Sequence, residues 1–297
     1  MLVRAVAANA GEGAERLYCP LASAVAGRVK ARERAASARL ARWPLFCLLR
    51  MRPRDASVPD LTFQGVANVG FGKGGGMYVR FRDRSEAGRA LAGRLQEYAG
   101  RPDVIVLGLP RGGVPVAYEV ARALGVPLDI FGVRKLGVPG QEELAMGAVA
   151  SGGVRVINDE VVGGLAIDRL ELNAVTSREL AELKRREQKY RAGRALPELA
   201  GRTVIVVDDG LATGSTMRAA VQALRQHGPA RIVVAVPVGA NQTCQRLQAE
   251  ADEVVCPLSP EVFFAVGAWY EDFSQTSDAE VSALLERARH EQEAPVP

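Results

Sequence analysis

Two adjacent carboxylates and a group of hydroxyl side chains lie close together in the stretch VIVVDDGLATGST, residues 204–216. Asp208 and Asp209 can accept hydrogen bonds from vicinal sugar hydroxyls, or hold a Mg²⁺ ion that a ligand carries. Residues 213–216 supply hydroxyls, a glycine that permits close backbone approach, and the N-terminus of a helix, which together can hold a phosphate monoester. The two halves therefore describe a site for a ribose 5-phosphate. The residues alone also allow a purely structural acidic pair that caps the helix.

The elements around this stretch would place its polar groups at one edge of a sheet. Residues 204–207 are four consecutive β-branched residues, a pattern typical of a parallel strand that is covered on both faces. A helical pattern follows and ends at Gly228. In open α/β sheets ligands bind outside the carboxyl ends of the strands, so we expect Asp208 and Asp209 to lie where a ligand could reach them.

The rest of the chain alternates strand and helix patterns, which predicts an α/β fold with an open, mostly parallel five-stranded sheet flanked by helices. We predict its strands at 103–110, 126–136, 204–207, 231–239 and 253–258, with a shorter β-rich pair within 145–158. We predict its helices after a cap at Asp83 or Ser85, and at 114–125, 168–192, 242–251 and 278–292. A second loop, Leu109 to Gly113, would lie at the same edge as the acidic pair.

The first 76 residues differ in character from the rest. They carry 12 Lys/Arg against 5 Asp/Glu, so the remaining chain carries 26 against 29 and has a charge of about −3. We therefore divide the chain into a poorly structured N-terminal extension, 1–76, which a start codon assigned too far upstream would also explain, and a folded domain, 77–297. Since the folded part is not basic, no nucleic-acid partner is expected.

The composition argues against a zinc protein and against a membrane-spanning protein. The cysteines, Cys19, Cys47, Cys244 and Cys256, have no C-x-x-C spacing and only two histidines accompany them, so no zinc site is indicated. Reduced thiols favour a cytoplasmic protein. No apolar run approaches the roughly 20 residues of a membrane span.

The stretch 204–216 resembles the phosphoribosyl-diphosphate signature of type I phosphoribosyltransferases: four hydrophobic residues, two acidic residues, a short variable stretch and Thr-Gly-Ser-Thr. The resemblance covers roughly Met77 to Glu291. It implies a fold with a small hood, and a Mg²⁺-dependent transfer of the 5-phosphoribosyl group from 5-phosphoribosyl 1-diphosphate (PRPP) to a nitrogenous base or related acceptor, with release of diphosphate. A homodimer would be usual for the family.

The resemblance also implies roles for individual residues. Asp208 and Asp209 would contact the ribose hydroxyls, and they would also be the metal-binding residues, mainly by way of the Mg²⁺ ion that PRPP carries. The loop that wraps the 5-phosphate would consist of Ala212, Thr213, Gly214, Ser215 and Thr216. The diphosphate would be met by Arg111, Gly112 and Gly113, and by Arg134 and Lys135 at the foot of a flexible loop.

The acceptor is not identified by any signature in the sequence. Residues 259–281 hold five aromatic residues in a chain with only 5% aromatics, and one of them could stack on a flat base or pack under a loop. Two other uses of the fold stay open: a non-catalytic regulator that senses PRPP or a nucleotide, and a hydrolase or phosphatase-like enzyme.

Overall fold

The computed structural model describes residues 69–71 and 77–293. Strands and helices alternate over most of these residues, as the sequence predicts. The strands are β1 (Val69–Phe71), β2 (Met77–Val79), β3 (Val104–Gly108), β4 (Leu128–Ile130), β5 (Val133–Val138), β6 (Gln141–Ala150), β7 (Val154–Ile157), β8 (Thr203–Val207), β9 (Arg231–Ala235) and β10 (Glu253–Val255). The helices are α1 (Arg84–Ala92), α2 (Gly113–Leu124), α3 (Asp159–Gly164), α4 (Arg169–Tyr190), α5 (Ser215–Gln226), α6 (Asn241–Leu247) and α7 (Asp278–Glu293).

Five of the described strands form the expected parallel sheet, in the order β10-β9-β8-β3-β4. The central strand β8 is fully buried. Val204 and Val206 pack with α5 and α6 on one face, whereas Ile205 and Val207 pack with α1, α2 and α7 on the other. Because both faces are covered, β8 is apolar throughout instead of alternating, which is the reason that its sequence pattern was informative.

A second, antiparallel sheet forms the small hood. Its order is β5-β6-β7, and its inner face packs against α3 and α4. The β-rich pair predicted within 145–158 corresponds to β6 and β7, although β6 begins earlier than expected, at Gln141.

The single strand predicted at 126–136 is wrong, because the structure divides it into β4 and β5, which belong to different sheets. The division occurs at Gly132, whose backbone N–H donates to Ser151 Oγ at 2.7 Å. A Cβ atom at Gly132 would lie 2.5 Å from Leu183 Cδ1 of α4. The chain therefore changes sheets at a glycine against which the Leu183 side chain of α4 packs closely.

The helix starts agree with the expected capping residues. Asp83 caps α1 by accepting a hydrogen bond from Glu86 N at 2.8 Å. Ser277, the alternative to Asp278, caps α7 by accepting from Glu280 N at 3.1 Å. The short helix α3 was not predicted from the sequence.

The antiparallel pair of β1 and β2 crosses the boundary that the sequence predicts at Met77. The remainder of the predicted N-terminal extension lies outside the described residues. Among the residues that the structure describes, no helix combines the length and apolar character that a membrane span requires.

Candidate active site

The acidic pair lies at the carboxyl end of β8, as expected, and both carboxylates are largely shielded from solvent. The backbone N–H of Asp209 donates to Asp208 Oδ1 at 2.9 Å. Burial raises the pKa of Asp208 well above its ordinary value, and the negative charge of Asp209 adds to this increase. Burial also raises the pKa of Asp209, although the neighbouring Arg84 guanidinium opposes that shift. Two carboxylates kept close together and away from water are costly, which favours a role in binding a ligand over a purely structural one.

Arg84, in the first turn of α1, holds Asp209 in place. Its Nε donates to Asp209 Oδ2 at 2.9 Å, and its Nη1 donates to the carbonyl of Ser274 at 2.7 Å. The guanidinium lies 4.0 Å above the centre of the Phe273 ring, and the arginine side chain is only 12% exposed. Our sequence reasoning missed this residue, because no local pattern links positions 84 and 209.

The second loop packs directly against the acidic pair. A Cβ atom at Gly112 would lie 2.1 Å from Asp209 Oδ2, and one at Gly113 would lie 2.7 Å from the carbonyl oxygen of Val207. The peptide bond between Pro110 and Arg111 is cis. The two loops that the sequence placed at one sheet edge therefore touch one another, and glycines permit that contact.

The loop after the acidic pair presents polar groups outward. Gly214, at φ +72°, precedes the first residue of α5, and none of the described side chains caps this helix. Ala212, Thr213, Ser215 and Thr216 are exposed. From behind, Thr243 Oγ1 donates to the carbonyl of Ala212 at 2.7 Å. The result is a supported loop whose hydroxyls and helix N-terminus face outward, a geometry suited to a phosphate group.

The three basic residues assigned to the diphosphate lie in different environments. Arg111 is 35% exposed, and its Nη1 lies 3.8 Å from Asp278 Oδ1 at the start of α7. Arg134 Nε donates to Glu179 Oε2 of α4 at 2.6 Å, whereas Lys135, the next residue of β5, is exposed on the opposite face. The structure therefore separates Arg134 and Lys135, and it does not bring the three cations together.

Lys135 shares a cleft with the phosphate-type loop. The cleft has a volume of about 710 Å³ and lies between the hood sheet and the N-terminal half of α5. Lys135, Ser215 and Thr216 line it, together with Asp159 and Glu160 of α3. A cation and two hydroxyls thus face a cleft large enough for a small phosphorylated ligand.

The aromatic residues of 259–281 divide into buried and open ones. Tyr270 is buried, and its hydroxyl donates to the carbonyl of Asp209 at 2.6 Å, so it supports the acidic pair. Phe263 and Trp269 stack on one another with ring centres 6.3 Å apart. Phe264 is 90% exposed and Phe273 is 37% exposed. Phe264 is therefore the most exposed of these rings, whereas the Arg84 guanidinium covers one face of Phe273.

The donor set fits a Mg²⁺ ion that arrives with a ligand. No group of three or more His, Cys, Asp or Glu side chains among the described residues could hold a metal ion without further ligands. Asp208 and Asp209 nevertheless supply two carboxylates, and Mg²⁺ commonly binds one or two carboxylates together with substrate phosphates and waters.

Comparisons with known proteins agree with this geometry. A family model described as the phosphoribosyl transferase domain matches residues 81–272, which is more than half of the chain. A Mycobacterium tuberculosis H37Rv protein, provisionally named phosphoribosyl transferase Rv0571c, is 53% identical over 211 residues. This match covers 71% of the present chain and 47% of the relative. The chain thus spans about half the length of the curated relatives that it matches in this way.

Two further proteins extend the comparison. The crystal structure of TT1426 from Thermus thermophilus is 45% identical, covers 70% of this chain and 99% of its own, and superimposes with a TM-score of 0.63. A protein of Chloroflexus aurantiacus named bifunctional protein PyrR is 33% identical over 129 residues, covering 42% of this chain and 65% of its own. The matched region holds the acidic pair, both loops and Arg84, and the chain belongs to the type I phosphoribosyltransferase family.

Proposed function

We propose that this protein is a Mg²⁺-dependent phosphoribosyltransferase that moves the 5-phosphoribosyl group from PRPP to a nitrogenous base or related acceptor and releases diphosphate. The observation that carries the proposal is the direct contact of the Gly112–Gly113 loop with Asp208 and Asp209, beside the open N-terminus of α5. One sheet edge thereby offers separate groups for a diphosphate, for ribose hydroxyls and for a 5-phosphate.

In this proposal each loop binds one part of PRPP. Asp208 and Asp209 accept hydrogen bonds from the two ribose hydroxyls, and Arg84 orients Asp209 and opposes the rise in its pKa that burial causes. Residues 212–216 hold the 5-phosphate through backbone N–H groups and hydroxyls. Arg111, Gly112 and Gly113 hold the diphosphate.

The reaction replaces the bond from the anomeric carbon to diphosphate oxygen by a bond to an acceptor nitrogen. The transition state resembles an oxocarbenium ion, so the protein acts mainly by holding the two partners in line and stabilising the departing negative charge. Arg111 and Lys135 are the cations proposed for this stabilisation. A bound Mg²⁺ would add charge neutralisation at the diphosphate oxygens. Arg134 was assigned the same role from the sequence, and it would need to leave Glu179 in order to perform it.

The acceptor is proposed to bind beside the open aromatic rings of 259–281. Phe264 extends into solvent, so its ring is the one proposed to stack on a flat nitrogenous acceptor, whereas one face of Phe273 already carries the Arg84 guanidinium. We further propose that the protein acts in nucleotide metabolism in the cytoplasm. We also propose that it forms a homodimer, which sedimentation of the full-length protein would test.

The decisive experiment incubates the full-length protein with Mg²⁺ and PRPP and measures diphosphate release with a panel of purine and pyrimidine bases. Release that depends on one base, and that stops when Mg²⁺ is chelated, is the expected result and names the acceptor. PRPP binding without release for any base would favour the regulator that senses PRPP. Failure to bind PRPP would contradict both functions.

A further inference from the structure

A recess at the other end of the sheet from the proposed active site is lined by arginines. It lies beside the edge strand β4, where the segment between α4 and β8 passes under α7, and it has a volume of about 230 Å³. Arg202 precedes β8 and Asp208 follows it. An extended run of six residues separates them by about 20 Å, so the recess and the acidic pair are distinct places.

The charges around the recess do not balance. Its four arginines are Arg191, Arg194, Arg202 and Arg289, and its one carboxylate is Asp129. Arg191 forms an ion pair with that carboxylate, in which its Nε donates to Asp129 Oδ1 at 2.8 Å. Its Nη1 donates to Glu187 Oε1 at 2.9 Å. The other three guanidiniums have no acidic partner among the lining residues.

Two of these guanidiniums are positioned in ways that suit an anion. Arg202 Nη2 donates to the carbonyl of Val104 at 3.0 Å, which fixes the side chain without neutralising it. The Nε atom of Arg289 is buried and has no hydrogen-bond partner among the residues that the structure describes. A buried donor without a partner is costly, and a bound acceptor would remove that cost.

We propose that this recess, which we call the arginine recess (Arg191, Arg194, Arg202 and Arg289), is a second binding site for a small phosphate-type oxyanion, inorganic phosphate or diphosphate. Guanidinium groups bind phosphate oxygens in pairs of parallel hydrogen bonds, so Arg202 and Arg289 would each contribute such a pair. The volume of about 230 Å³ favours an anion smaller than a nucleotide, because sites for drug-sized ligands usually span about 300–1,000 Å³. This site goes beyond the proposed function and does not depend on it.

Titration calorimetry of the full-length protein with diphosphate, and separately with inorganic phosphate, tests the proposal. The double variant Arg202→Gln/Arg289→Gln should bind one anion fewer per chain than the wild type, with PRPP binding unchanged. Arg289→Gln alone should lower the affinity of the arginine recess for the anion about tenfold, which is the effect of removing one charge-assisted hydrogen bond. In the wild type, Arg289 Nε donates to no other described residue, so Arg289→Gln breaks no such hydrogen bond. The single variant can therefore replace the double variant in this test if the double variant fails to fold.

The matched control is Arg287→Gln, which removes the same charge from α7 outside the recess. Its side chain pairs with Glu291 and should leave the number of bound anions unchanged. The proposal is overturned if wild type and double variant bind equal numbers of anions, if Arg287→Gln weakens binding as much as Arg289→Gln, or if adenosine monophosphate but neither inorganic anion binds in an Arg289-dependent way.

Discussion

Arg84 shows how a single residue can set the properties of a site. It pairs with Asp209, donates to the Ser274 carbonyl and stacks on Phe273, all at once. Without this cation the pKa of Asp209 would rise further, because nothing would oppose the effect of burial on this carboxyl. An ionised, correctly directed Asp209 is the form that accepts hydrogen bonds from ribose hydroxyls.

Replacement of Arg84 by lysine is therefore expected to weaken PRPP binding. Lysine cannot stack flat on Phe273 while donating in two directions, so the KM for PRPP should rise about tenfold as one charge-assisted bond is lost. Arg82→Lys is the control, because the Arg82 side chain is exposed and pairs with its neighbour Asp83. Steady-state kinetics that show equal KM values for the two variants would contradict this role.

Gly112 offers a second test at the residue scale. In Gly112→Ala the new methyl group would lie 2.1 Å from Asp209 Oδ2, so the loop or the carboxylate must move. We expect a loss of stability of about 1–3 kcal/mol and weaker PRPP binding. Gly163→Ala in α3 is the control, since no atom of the described part of the chain lies within 4 Å of its Cβ position. Denaturant unfolding and PRPP titration measure both effects, and a Gly112→Ala protein indistinguishable from this control would refute the packing argument.

The residues of the site differ in how well the sequence reveals them. Asp208, Asp209 and the hydroxyl loop occupy one continuous stretch, so strand, carboxylates and helix start could be recognised together. Arg84 reaches the same site from a position 125 residues earlier, and only the folded chain brings the two together. Arg134 and Lys135 are neighbours in the sequence and were assigned the same role. Neighbouring residues of a strand face opposite sides, so the fold separates their side chains.

At the scale of elements, the ends of α4 and α7 are tied together near the site. Asp278 accepts hydrogen bonds from Tyr190 Oη at 2.7 Å and from Lys189 Nζ at 3.0 Å. Arg111 of the second loop lies 3.8 Å from the same carboxylate. The first residue of the terminal helix therefore links the long helix to a loop of the active site.

This link predicts a pH dependence of stability. The hydrogen bonds from Tyr190 and Lys189 hold the pKa of Asp278 below its ordinary value. The contribution of the Asp278 carboxylate to the stability of the fold is then fully present above the ordinary Asp pKa of about 4. It is lost as the pH falls through the lower pKa that Asp278 has in the folded protein. Asp278→Asn should lower the melting temperature by about 2–4 °C at neutral pH, and the difference from wild type should close in acid.

Thermal unfolding across a pH series measures this effect. Asp168→Asn is the control, because Asp168 precedes α4 without forming a capping hydrogen bond. A difference between Asp278→Asn and wild type that persists unchanged at low pH would show that the carboxylate charge is not its source.

The order of elements was largely predictable because strands and helices alternate with clear patterns. The exception, 126–136, has an apolar character that persists through Gly132, so its pattern could not show a change of sheet. The signal lay in tertiary contacts, namely the approach of Leu183 to Gly132 and the bond from Gly132 N to Ser151.

At the scale of the whole molecule, the parallel sheet has two ends with different chemistry. The carboxyl ends of the strands present carboxylates, glycine loops and a helix N-terminus, whereas the opposite side presents the arginine recess. The overall composition revealed neither the acidic pair nor the arginine recess, since the formal charge of +4 owes its sign to the first 76 residues. Charge placement therefore informs on function here more than total charge does.

The most direct test of the central claim is calorimetric titration of the full-length protein with PRPP in the presence of Mg²⁺. We expect the wild type to bind, and Asp208→Asn/Asp209→Asn to lose at least about tenfold in affinity, because two charge-assisted acceptors of the ribose hydroxyls are removed. Asp168→Asn/Glu171→Gln, which removes the same charge from an exposed region, should bind as the wild type does. Equal affinity of the wild type and the Asp208→Asn/Asp209→Asn protein would contradict the account.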